Sequence, residues 1–127
     1  MASVIREGGS NPITINDWRT ALQVSLLEKM YDEGQRGAHK NDLWYNLRHH
    51  FCKEDDILPQ ISDHQVNRLD MDLELRGMLV LGLVEVAEYP CECCRQVERS
   101  LDDTLTHAVR FRLTKAGYDR VPEHIFP

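Results

Sequence analysis

Three thiols crowd into four positions, Cys91-Glu92-Cys93-Cys94. Thiolates are soft ligands suited to zinc, copper(I) or an iron–sulfur cluster, so these three could supply most of a four-ligand site. A fourth ligand would have to come from Cys52, His107, Asp102, Asp103 or a second chain. The spacing departs from a structural zinc knuckle, which leaves about two to four residues between paired cysteines, and adjacent Cys93 and Cys94 face one ion only with difficulty. The same thiols could instead oxidise, Cys91 joining Cys93 or Cys94, or one of those joining Cys52, in preference to a strained vicinal bond. The plain alternative is reduced thiols in a loop.

Catalysis finds no comparable cluster. The chain has no Gly-rich phosphate loop, no His-Glu-x-x-His and no Gly-x-Ser-x-Gly. Asp55-Asp56 and Asp102-Asp103 are neighbours in polar stretches, where a hydrated turn is the ordinary explanation. His49-His50 close a helical stretch, whose negative end favours protonation over metal binding. No enzyme is expected.

At 127 residues the chain is read as one domain, with Met1 to Pro12 a loose, Gly-containing tail and residues 13–127 the folded part. Its 42% hydrophobic and 28% charged residues are ordinary for a soluble globular protein, which excludes overall disorder. The tail lacks the apolar core of a secretory signal, and no apolar run approaches the roughly 18 residues of a membrane span. A cytoplasmic protein with reduced cysteines is therefore expected. The net charge of −6 argues against a large nucleic-acid footprint, because phosphate binding draws on Lys and Arg for counterion release, although local charge can override the total.

The elements that position these groups follow from periodicity. Thr14 or Asn16 caps a first helix in which Trp18, Leu22, Leu26 and Met30 recur every four residues, joined by Ala21, Leu27 and Tyr31, until Gly34 and Gly37 end it. A second helix starts near Asn41 or Asp42 and buries Leu43, Trp44, Leu47 and Phe51. The connection from Cys52 to Ser62 is too long for a tight helix-turn-helix, which uses about three or four residues. A third helix is expected from Ser62 or Asp63, with Val66, Leu69, Leu73, Gly77 and Val80 or Leu81 on its buried face, and Gly82 as its left-handed end. Leu83 to Val86 reads as a strand. Leu105 to Leu113 alternates strictly, so a second strand is expected there, with Leu105, His107, Val109, Phe111 and Leu113 inward. Thr114 then caps a last helix from Lys115 to Val121, closed by Pro122.

Val66-Asn67-Arg68-Leu69, then Leu73, Gly77, Gly82-Leu83-Val84, and Phe111-Arg112-Leu113-Thr114-Lys115-Ala116-Gly117-Tyr118 resemble winged-helix regulators of the MarR and PadR kind. The resemblance covers the second half of the chain by motif and the first half by element order. It implies an α+β, mostly helical fold: a three-helix core, a two-stranded hairpin wing over about residues 83–113, and a C-terminal helix. It also implies a homodimer that sets its third helix in the major groove of duplex DNA. Carried onto this chain, the base readers would be His64, Gln65, Asn67 and Arg68, while Arg95, Arg99, Arg110 and Arg112 would meet phosphates or the minor groove. The thiols Cys91, Cys93 and Cys94 then fall in the wing loop, where zinc or an iron–sulfur cluster could make it a sensor.

The third helix also carries Asp63, Asp70, Asp72 and Glu74, and carboxylates facing phosphates oppose binding. Two functions therefore stand against each other. A dimeric transcriptional regulator requires a positive stripe through Arg68, Arg95, Arg99, Arg110 and Arg112. A winged-helix protein-interaction module that does not bind DNA requires acid to interrupt that stripe. In either case the stripe of Trp18, Leu22, Leu26 and Met30 is wide enough to serve both core and dimer.

Overall fold

The computed structural model describes residues 15–53, 56–95 and 100–121, with 15–17 and 94–95 described by backbone alone. The expected tail, Pro122 and Arg99 lie outside the described residues. Helix α1 (Ile15–Glu33) has the expected period: Leu22, Leu26 and Met30, one turn apart, are completely buried. It ends at Gly34, where φ is +69°. A single 3-10 turn (Gly34–Arg36) leads through strand β1 (Ala38–His39) into helix α2 (Lys40–Phe51). Helix α2 buries Leu43 and Leu47. Its cap is His39, not Asn41 or Asp42: the imidazole Nδ1 accepts the Asn41 amide at 3.0 Å, so a ring nitrogen serves where an amide or carboxylate oxygen was expected.

The largest departures lie in the third helix. Strands β2 (Gln60–Ile61) and β3 (His64–Gln65) form a small antiparallel hairpin around Ser62-Asp63, with Ser62 at φ +57°. That hairpin occupies the residues expected to begin the helix. Helix α3 instead spans Arg68–Val80, and Asn67 forms a reciprocal capping box with Asp70. Its inward face is also not the expected one. Met71, Glu74, Leu75 and Met78 are buried, while Leu69, Leu73, Gly77, Val80 and Leu81 face outward; Val66 is buried but precedes the helix. Two apolar sets recur at helical spacing in this segment, and the one that packs carries an acid.

Gly82 ends the turn after α3 at φ +74°, as expected, and strand β4 (Val84–Glu88) follows. Of the second expected strand, Leu105 to Leu113, only Arg110–Leu113 is strand, and its first three residues are helical. After helix α4 (Glu92–Arg95), helix α5 covers Leu101–His107, and strand β5 is confined to Arg110–Leu113. Ser100 caps α5 by accepting the Asp103 amide at 3.2 Å, and the Thr104 and Thr106 hydroxyls donate to carbonyls four residues back. These local bonds override the alternation of Leu105 to Val109. Leu105 and His107 are thus helical, and Ala108, expected to point outward, is fully buried.

Strand β5 pairs antiparallel with β4 on one side and β1 on the other, giving the order β1-β5-β4. Val86 and Ala38 both lie opposite Phe111, which is buried at the centre. Helix α6 (Lys115–Arg120) is capped by Thr114 as expected. The Thr114 hydroxyl accepts the Gly117 amide and donates to the Gly82 carbonyl, while its own amide donates to Leu83 at 3.0 Å. A β-carbon on Gly117 would overlap the Leu83 carbonyl. The Leu-Thr-Lys-Ala-Gly run is therefore a lock between α6 and the turn after α3. The chain is α+β and mostly helical. Among the described residues no helix is long and apolar enough to cross a membrane.

Candidate functional site

Helix α3 carries apolar residues on nearly every side, more than one buried face can hold. The surplus falls on its outer side, where Leu69 is 64% exposed, Leu73 54%, Val80 65% and the capping Leu81 67%. One edge of this face borders α5, and between the two helices runs a groove of about 300 Å³. Leu69, Leu73 and Leu105 supply its apolar surface, and Lys40, Arg68, Arg76, Asp72 and Asp102 ring it with both signs of charge. Burial beside the groove holds the Asp72 carboxyl above its ordinary range, against the opposing pull of Arg68 and Lys40. Arg76 reaches Asp102 at 3.3 Å across the groove.

The residues expected to read DNA have other structural partners. His64 and Gln65 belong to β3 and do not start the helix. The His64 ring stacks on Trp18 at 3.7 Å and meets Asp70 Oδ2 at 3.0 Å. Asn67 is committed to the capping box. Arg68 lies over the Trp44 ring at 5.5 Å and donates to Asn41 Oδ1 at 3.5 Å.

The strand arginines are paired as well. Arg110 donates to Glu88 at 2.9 Å and to the Gly37 carbonyl, and Arg112 donates to Glu85 at 2.7 Å and to the Gln35 carbonyl. Each of these two arginines is thus fixed beside a β4 carboxylate. The side chain of Arg95 and all of Arg99 lie outside the described residues.

Cys91 and Cys93 are exposed at the start of the connection between β4 and β5, while the side chain of Cys94 lies outside the described residues. Among the described residues no group of three or more His, Cys, Asp or Glu side chains is placed to hold a metal ion. Cys52, just after α2, is half-buried.

No family model, curated protein or solved structure matches this chain.

The stripe on α1 that was to serve both core and dimer is consumed by the core: Leu22, Leu26 and Met30 have no accessible surface. Among the described residues, exposed large apolar side chains gather on and just after α3 as Leu69, Leu73, Val80 and Leu81, while Tyr45 on α2 and Ile57 are exposed elsewhere. Sequence reasoning assigned Leu69 and Leu73 to the interior and missed Lys40, Leu105 and Thr106 as groove residues. The available signal was the number of apolar residues between Leu69 and Leu81, which exceeds the capacity of a single helix face.

Proposed function

We propose that this chain is a winged-helix interaction module that docks a protein on the outer face of α3 and does not read duplex DNA. The fold part of this reading is supported by the element order, in which a helix, a short strand and two helices precede the β4 and β5 strands, and the short strand joins the sheet beside β5. In winged-helix DNA readers the outer face of the third helix enters the major groove and needs donors and acceptors there.

The carrying observation is that this face presents Leu69, Leu73 and Val80. Aliphatic side chains offer a base pair little beyond contact with a thymine methyl, whereas they suit the centre of a protein interface. The pairing of Arg110 with Glu88 and of Arg112 with Glu85 adds to this, because a neutralised arginine releases less counterion from DNA. A titration with random-sequence duplex DNA at low salt tests the reading. No binding is expected; salt-sensitive binding that Arg110→Glu and Arg112→Glu abolish and Leu69→Ser leaves intact would overturn it.

A further inference from the structure

The edge of α3 that lines the groove carries Arg68, Asp72 and Arg76, one turn apart. At that spacing an acid ordinarily finds an arginine of its own helix. Here both arginines are drawn off: Arg68 lies over the Trp44 ring and donates to Asn41, and Arg76 donates to Asp102. Lys40, the third cation of the groove, donates to the Thr106 carbonyl at 3.0 Å. Among the described residues no donor is left within hydrogen-bond reach of the half-buried Asp72 carboxylate, although Arg68 and Lys40 stand near enough to act on it by charge. An acceptor without a donor thus shares a groove with two cations bonded only to neutral oxygens.

We infer that this groove takes an extended, aliphatic and near-neutral segment of the docked protein, one residue of which donates its backbone N–H to Asp72 and offers its carbonyl to the cations beside it; the inference rests on the docking reading above. A peptide group is a dipole, and it suits a wall that holds both signs of charge. An acidic segment would meet Asp72 and Asp102, and a basic one would meet Lys40, Arg68 and Arg76. The segment is extended because a helix has already used its interior N–H and C=O groups on itself. In an extended chain the N–H and C=O of one residue point the same way, as they do when two strands exchange both bonds of a pair. Side chains then alternate above and below, so one of them turns down onto Leu69, Leu73 and Leu105. At about 300 Å³ the groove is at the bottom of the range of roughly 300 to 1,000 Å³ for small-ligand sites, which fits a few residues of chain.

Selection from a library of random displayed dodecapeptides on the full chain, followed by titration of the synthesised winners, tests the assignment. The winners are expected to be aliphatic and to carry little net charge. Asp72→Asn should weaken their binding about tenfold, because a charge-assisted bond becomes a neutral one. The same variant should melt no lower than the parent, which separates lost binding from a damaged fold. Methylating one backbone nitrogen of a winner should cost a similar factor on the parent chain and much less on Asp72→Asn, since the two changes remove the same bond. Winners that are strongly acidic or basic, that bind as helices by circular dichroism, or that ignore both Asp72→Asn and backbone methylation overturn the assignment. If such winners are still lost in Leu69→Ser and Leu73→Asp, the docking reading stands and only its mode falls. If no selected peptide depends on Leu69 or Leu73, both readings fall.

Discussion

Glu74 is buried on the inner side of α3, where it accepts Arg19 Nε at 2.8 Å on one oxygen and Gln23 Nε2 at 2.7 Å on the other. Both donors come from α1, so one carboxylate ties the two helices together. Arg19→Ala would strand a buried charge and is expected to cost about 3 kcal/mol in urea unfolding. Adding Glu74→Leu to that variant should recover most of the loss, because the unpaired charge goes with its partner. A double variant no better than Arg19→Ala would refute this account. Asp72 behaves in the opposite sense. Its folded-state affinity for protons is raised by burial, so its ionised form costs stability at neutral pH. That cost fades as pH falls through the raised value toward the ordinary aspartate range. Asp72→Asn should therefore be more stable than the parent at pH 7 in dilute solution, with the advantage shrinking on acidification; a wild type more stable at pH 7 would contradict it.

At the scale of elements, two glycines separate the lock from the docking face. Gly117 is pressed against the Leu83 carbonyl, so Gly117→Ala forces α6 away from the turn after α3 and is expected to cost about 3 kcal/mol or more. Gly77 lies in open space at an ordinary helical position, so Gly77→Ala should raise stability by about 0.5 to 1 kcal/mol. Thermal melts of the two variants should move in opposite directions; a shift of the same sign would mean that α3 and α6 are packed otherwise. The elements were legible in uneven measure. Helix α1, the Gly82 turn and the Thr114 cap were readable because each is fixed by local spacing or by one side chain with one partner. The last three residues of α5 were misread as strand, because alternation from Leu105 to Val109 resembles a strand until the Ser100 cap and the threonine hydroxyls are counted. The burial of α3 was misread by nearly half a turn.

At the scale of the whole molecule, the charge of −6 is distributed so that arginines meet carboxylates close by: Arg19 with Glu74, Arg76 with Asp102, Arg110 with Glu88 and Arg112 with Glu85. If the chain docks a protein, as proposed, random-sequence duplex DNA should fail to bind it at about 50 mM salt, where attraction to phosphates is strongest, and measurable binding there would contradict the reading. The candidate site was only partly visible in advance. Leu69 and Leu73 were named but assigned to the core, and Lys40, Leu105 and Thr106 were not seen as part of the groove.

The sequence by itself determined what short-range physics decides: the period of α1, the glycine at the end of α3, the threonine cap of α6, and an apolar content in α3 too great for one face. Tertiary structure alone decided which face of α3 is buried, because Arg19 and Gln23, some fifty residues away along the chain, supply the hydrogen bonds that let Glu74 go inside. Only with that acid accommodated do Met71, Leu75 and Met78 form the core, leaving Leu69, Leu73 and Val80 in water. Periodicity fixes the spacing of a helix face, and its partners choose which face is covered.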